Sequence, residues 1–267
     1  AQGKSVLRGV LFSDDSRHFL QSLISLGFPV EVDEDNAVVT IIGFGGKIPK
    51  TEAEIDVGSA GTAARFLTAY LGLSKGNYHI LSSEQMKKRP MQELLTALEE
   101  LGAEIAYDEE CYHFPFTIGN DGVTRHEVTI DVDKSSQFLS ALLISAVLFK
   151  EDFHIHVKGT HGMAYVQMTI AMMRQFGVTV LEESPRDFCI PKEAAYEAQE
   201  YQIEPDVSAA SYFSAMCPVL HVPAKVLHVH WDSLQGDTQF LHVLEKMGCK
   251  SKEESDGILL LPPEGKM

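Results

Sequence analysis

The chain has 267 residues, 45% of them hydrophobic, with 38 acidic against 22 basic side chains and a formal charge of -16. This composition suits a soluble globular protein of one large or two medium domains. Its acidity disfavours non-specific association with nucleic acid or anionic membrane, so an anionic ligand must meet a local basic site.

No apolar run approaches the roughly 20 residues of a membrane span, and no targeting pattern leads the chain. Cys111, Cys189, Cys217 and Cys249 show no C-x-x-C spacing. That argues against a zinc ribbon or disulfide framework and for a reducing cytoplasm.

In chain order, "SVLRGVLFS" predicts a strand, and "LQSLISLGFPVEV" a helix that closes on Gly27 before another strand. "EIDVGSAGTAARFLTAYLGL" reads as strand, small polar turn and apolar helix, followed by the short strand "NYHILSSEQ". Met91, Leu94, Leu95, Leu98 and Leu101 then recur at helical steps, with Pro90 placed as the first helical residue and Gly102 closing the stripe.

The pattern returns in "TIDVDKSSQFLSALLISAVL", "DFHIHVKGT" and "IAMMRQFGVTVLE", and again in "QIEPDVSAASYFSAMCPVL", "KVLHVHWDS" and "LHVLEKMGCKSKE". The closing glycines, Gly27, Gly102, Gly177 and Gly248, are 75, 75 and 71 residues apart. A repeat of strand, helix, strand, helix, strand, strand, roughly 75 residues long, is the organising unit. The predicted fold is α+β, with wholly apolar helices such as "FLSALLISAVLF" inside and sheets outside.

The period also explains the histidines. His79, His154 and His228 hold equivalent places on equivalent strands, so alternation on a half-exposed strand accounts for them and no metal is assigned. Residue 1 falls at the third element of a unit, which predicts a first copy without its leading strand and helix. The expectation is a piece of a longer repeat protein, with residues 1–202 as a first lobe and 203–267 as the first unit of a second. Self-association through the incomplete first copy is a further expectation.

Three helix starts are small or hydroxylated: Ser59 to Thr62, Ser135 to Gln137, and Ser208 to Ser211. Helix capping explains such residues; so does an anion held on free N–H groups, for which Gly61 leaves room. Lys87, Lys88 and Arg89 pose the same choice. They are a solvated charge run, or Arg89 forks onto an anion at the helix head.

Taken together, "SDDSRHFLQSLISLG", "GSAGTAARFL", "QMKKRPMQELLTALEELGA", "DKSSQFLSALL", "AYVQMTIAMMRQFGV", "EPDVSAASYF" and "SLQGDTQFLHVLEKMG" resemble, along nearly the whole chain, the 5-enolpyruvylshikimate-3-phosphate synthase family. The resemblance implies a two-lobed fold of such units. It implies transfer of the enolpyruvyl group of phosphoenolpyruvate to the 5-hydroxyl of shikimate 3-phosphate, by addition and elimination, without metal or organic cofactor.

It implies that Ser135, Ser136, Gln137 and Tyr165 bind shikimate 3-phosphate. Gly61, Arg89 and Gln137 would contact phosphoenolpyruvate or the inhibitor glyphosate, with Arg65 and Lys87 in supporting places. Departures from the family pattern are Ser59, Gln85, a one-residue shortening at Gly162-Met163, and Pro205. The family's acid–base residues are not matched in this chain, so the isolated chain is expected to bind rather than turn over. The alternatives are a non-catalytic fragment or anion-binding repeat module, and the sibling enzyme acting on UDP-N-acetylglucosamine, which the Lys-Lys-Arg-Pro and Ser-Ser-Gln motifs argue against.

Overall fold

The four closing glycines show how each copy of the repeat turns its corner. At Gly27, Gly102, Gly177 and Gly248 the backbone is left-handed (φ 91°, 104°, 89° and 99°). In every case the glycine N–H donates to the carbonyl three residues back and the next N–H to the carbonyl five back, as in Gly102 to Glu99 (3.0 Å) and Ala103 to Leu98 (2.9 Å). This paired closure satisfies two helix-end carbonyls, and a side chain at the glycine would strain it. The computed structural model describes residues 1–122 and 125–265, and the chain divides into two compact units, Ala1–Tyr201 and Gln202–Met267.

In the larger unit the first copy supplies β1 (Gln2–Arg8), α1 (Asp14–Ser25), β2 (Val30–Asp33) and β3 (Val38–Phe44). The second supplies β4 (Glu52–Asp56), α2 (Gly61–Gly72), β5 (Gly76–Leu81), a short α3 (Glu84–Lys87), α4 (Gln92–Glu100), β6 (Glu104–Tyr107) and β7 (Phe116–Asn120). The third supplies β8 (Glu127–Asp131), α5 (Gln137–Ser145), β9 (Phe153–Lys158), α6 (Met163–Gln175), β10 (Leu181–Ser184) and β11 (Asp187–Ile190), and β12 (Glu200–Gln202) follows.

Sheets β4-β5-β7-β6 and β8-β9-β11-β10 share one design, a leading parallel pair and then antiparallel strands. Alternation sets their faces: in β9, Phe153, Ile155 and Val157 are buried while His156 and Lys158 are exposed. Against the buried faces pack α2 and α5, whose apolar residues, among them Leu67, Leu71, Phe138 and Leu142, are almost wholly enclosed. Helices without a polar face belong inside, as their sequence requires.

The first sheet runs β12-β1-β3-β2. The edge beside β1 is thus taken by a segment some 200 residues downstream, with the Val6 N–H donating to the Gln199 carbonyl (3.0 Å). On one face of this sheet Ile41 of β3 lies near Phe19 of α1 and Phe66 of α2. A groove of about 470 Å³ lies there, lined by Phe19, Phe28, Ile41, Phe66, Tyr70 and Leu148.

The smaller unit carries α7 (Val207–Leu220), β13 (Ala224–Leu227), α8 (Gln239–Lys246), β14 (Lys250–Glu254) and β15 (Gly257–Leu261), with sheet order β13-β15-β14. Its main core is small: Cys217, Leu244, Cys249 and Leu260. Tyr212, Phe213, Val219 and Leu220 of α7 are exposed.

Candidate anion-binding site

Helix α2 begins without the usual protection. Its cap residue, Ala60, has no side chain to accept from the first N–H groups, and no acid stands in the first turn. The helix therefore opens with free N–H groups and its positive dipole end, an arrangement that suits an anion.

Two guanidinium groups converge on this point. Arg65, one turn along α2, is almost fully buried at 1% exposure. Its Nη1 donates to the Gly61 carbonyl (3.1 Å) and to Gln137 Oε1 (3.0 Å), and its Nη2 to the Pro90 carbonyl (3.3 Å). Its Nε is buried without a partner among the described residues. Arg89 reaches the same spot from the turn after α3: a Cβ built on Gly61 would lie 2.4 Å from Arg89 Nη1 and 2.8 Å from Arg65 Nη1. Glycine at 61 is required by this close approach and not by its backbone angle.

Burial first, and then the neighbouring Arg89 charge, lowers the Arg65 guanidinium to about 10. Neither arginine has a carboxylate partner among the described residues. Two cations held together at the positive end of a helix are mutually unfavourable, and an anion between them would reverse the sign of every such interaction. Gln137 ties the neighbouring helix in, its amide nitrogen donating to Thr62 Oγ1 (3.3 Å).

Beside this pair opens a cavity of about 700 Å³ whose polar lining includes Arg89, Lys134, Ser135, Gln137, His161 and Tyr165. Ser136 also lines it, at the start of α5, and the Ser135 hydroxyl accepts from the Gln137 N–H (3.3 Å). Tyr165, 61% exposed, projects from the first turn of α6. The departure at Gly162-Met163 has a local consequence: Gly162 is left-handed (φ 67°), and a Cβ there would lie 2.5 Å from Ser136 Oγ. The loop before α6 thus packs directly on the serine.

Of the residues singled out in the sequence, Arg89, Ser135, Ser136, Gln137 and Tyr165 share one cavity, and Gly61 and Arg65 stand behind Arg89. Thr62, named with its helix start, also lines the cavity; sequence reasoning passed over Lys134 and His161, although Lys134 immediately precedes the serine pair. Glu93 anchors Lys134 at 2.8 Å.

Three readings change. Pro90 is not the first residue of α4, which starts at Gln92 after Met91; the chain first makes the four-residue α3, capped by Ser83. Lys87 therefore ends a helix instead of preceding one, and pairs with Glu84 (2.9 Å) and Glu109 (3.4 Å). At the third hydroxyl-rich start, α7, Asp206 caps the helix by accepting from the Ala209 N–H (3.1 Å), and Ser208 donates to Asp237 (2.6 Å). A carboxylate fills that helix head, so it is a cap. Ser59, a departure, meets Ser83 hydroxyl to hydroxyl (2.7 Å), and Gln85 is exposed.

The fold, apolar helices enclosed by outer sheets in repeated units, is that of the enolpyruvyl transferases. EPSP synthase from Acinetobacter baumannii superposes with a TM-score of 0.80 at 21% identity, over 98% of this chain and 59% of that one. The family model described as EPSP synthase (3-phosphoshikimate 1-carboxyvinyltransferase) matches residues 1–266, and the chain belongs to that family. It is similar to 3-phosphoshikimate 1-carboxyvinyltransferase of Nostoc punctiforme, 38% identical over 96% of this chain and 60% of the relative. The enzyme of that name from a Sulfurovum species is 40% identical over 94% and 59%. The chain spans about 60% of the length of the curated relatives it matches.

Proposed function

We propose that this chain forms the substrate-holding part of an enzyme that transfers the enolpyruvyl group of phosphoenolpyruvate to the 5-hydroxyl of shikimate 3-phosphate, releasing phosphate. The observation that carries the reading is the convergence of Arg65 and Arg89 on Gly61, at an uncapped helix head without a carboxylate partner among the described residues. Phosphoenolpyruvate, bearing a carboxylate and a phosphate, matches the two cations and the N–H groups between them. Ser135, Ser136, Gln137 and Tyr165, with Lys134 beside them, suit a second ligand that is both phosphorylated and hydroxylated.

Arg89 acts as the adjustable arm, and buried Arg65 fixes the field behind it. Residues 1–202 are read as belonging to one lobe and 203–267 to a second. Four unpaired cysteines support a reducing cytoplasm, and the groove beside Phe19 and Phe66 supports self-association, which sedimentation velocity measures.

Calorimetric titration of the whole chain tests the assignment. Shikimate 3-phosphate is expected to bind more tightly than inorganic phosphate, and equal affinities would reduce the site to a general anion site. Arg89→Ala removes charge-assisted bonds of about 1.5–3 kcal/mol each, so phosphoenolpyruvate affinity should fall at least tenfold. The melting temperature should hold. A variant that binds normally, or one that instead loses its fold stability, would make Arg89 structural.

A further inference from the structure

On the outer face of the third sheet, away from the buried side that meets α5, three donor side chains from three strands converge. His154 comes from β9, Glu183 from β10 and Cys189 from β11, and one ligand atom of each lies within 4.8 Å of the others. We infer that His154, Glu183 and Cys189 form a site for a divalent transition-metal ion of the zinc type.

The repeat places the histidine, and the particular sequence of this copy supplies the rest. His154 stands opposite Cys189 in the register of β9 and β11, with Nε2 4.0 Å from Sγ. In the preceding copy the equivalent His79 stands opposite Thr117 and is held on its two ring nitrogens by Glu54 and Asp108, 3.0 Å each. The thiol is therefore new at a position where the histidine is generic.

Glu183 arrives through an irregularity. The pairing of β10 with β11 shifts register between Glu182 and Ser184, and the bulged residue is Glu183. Bulges of this kind re-aim one side chain. Its carboxylate comes to 3.7 Å from His154 Nδ1.

The donor set suits the ion. Zinc takes sulfur at about 2.3 Å and nitrogen or oxygen at about 2.0–2.2 Å in a tetrahedron, which sets ligand atoms roughly 3.5 Å apart. The two contacts engage different nitrogens of the His154 ring, and an ion takes only one of them, so a turn of the half-exposed ring and of Glu183 is needed to bring one nitrogen and the carboxylate to Cys189, whose sulfur is sheltered at 5% exposure. One thiolate, one carboxylate and one neutral imidazole balance a dication, and the mixed soft and borderline ligands favour zinc or cobalt over magnesium or calcium. The neighbouring His156 is engaged by Asp187 at 2.7 Å and is left out of the set. The fourth position faces solvent. Because the ligands come from three strands, the ion would cross-link the sheet that carries α5 and α6, and so steady the serine pair from behind.

The test is cobalt titration of the full chain after chelator treatment and removal of the chelator. Thiolate ligation is expected to give a charge-transfer band in the near ultraviolet and strong visible bands of a tetrahedral ion. Cys189→Ser should abolish the charge-transfer band, and His154→Ala and Glu183→Gln should each weaken zinc at least about tenfold. Cys111→Ser, at an exposed cysteine elsewhere, should change nothing. Zinc should also raise the melting temperature of the unaltered chain and not of Cys189→Ser. Absence of the band, or a band that survives Cys189→Ser, overturns the site. If Cys189→Ser does not fold, the surface change His154→Ala decides, and unchanged zinc affinity there is the same refutation.

Discussion

At the scale of single residues, the proposed anion site depends on the absence of one methyl group. Gly61→Ala would put a carbon into the space now shared by the Arg89 and Arg65 guanidiniums, at 2.4 and 2.8 Å. Arg89 is exposed and flexible, so it is the one to move. The helix tolerates alanine at its start at least as well as glycine. Buried Arg65 must also give slightly, so the expected outcome is a folded chain with a modestly lower melting temperature whose affinity for phosphoenolpyruvate drops roughly tenfold, as loss of one charge-assisted contact implies; unchanged affinity would mean that Arg89 does not serve the ligand.

His79 makes a separate residue-scale test on the outer face. Its hydrogen bond to Glu54 first, and that to Asp108 after it, raise its pKa above the ordinary histidine value. The folded state therefore holds the proton more tightly than the unfolded state. The stabilisation is fully present below about pH 6.5 and is lost as pH rises through the folded value. His79→Gln should accordingly lower the melting temperature at about pH 5.5 and matter less at about pH 8.5. A deficit that is the same at both pH values would show that the ring serves by packing alone.

At the scale of elements, the closing glycines were fully legible, because helix periodicity and a left-handed cap are both local properties. Gly177→Ala tests one of them. At φ 89° a side chain is strained, and its Cβ would sit 2.9 Å from Glu197 Cγ. About 1–2 kcal/mol of destabilisation is expected, seen as a lower denaturation midpoint with an unchanged slope. A midpoint that does not move would remove the strain argument.

Other elements were hidden for stated reasons. Helix α3 is four residues long, too short for any periodic signal, so Pro90 was placed at a helix start that lies further on. Ser208 resembled the site serines by composition, yet Asp206 two residues earlier had already filled the helix head. The exchange of β12 into the first sheet pairs Val6 with Gln199, a partnership that no local pattern encodes. The meeting of Glu183 with Cys189 depends on a bulge, which simple alternation does not foresee. Arg89, Ser135, Gln137 and Tyr165, singled out through family motifs, line one cavity, and Lys134 and His161 join them only when the chain is folded around it.

At the scale of the whole molecule, the same repeat is unequally supported in the two units. In the larger unit a continuous core joins the buried faces of the second and third sheets to α2 and α5, including Leu67, Tyr78, Phe116, Phe138 and Phe153 at no more than 1% exposure. The smaller unit has a three-stranded sheet, a main core of four buried residues, and an α7 that leaves Tyr212 and Val219 more than 70% exposed. Burial per residue sets how much free energy opposes local opening, so the two units should open at different costs.

Hydrogen exchange measures this directly. Amides of α7 and α8 are expected to exchange at least about tenfold faster than those of α2 and α5, and to lose protection at lower denaturant. Helix length does not account for such a difference, since α7, at 14 residues, is the longest helix among the described residues. The lack of packing partners does, and Pro218 inside α7 adds a local weakness in its last turn, so the comparison is read on the amides before it. A binding partner that covers Tyr212, Phe213 and Val219 should restore protection in α7 selectively, whereas a phosphorylated ligand at Arg89 should protect the start of α2 and leave α7 as it was. Equal protection of both units in the unliganded chain would refute the claim that core size governs their stability.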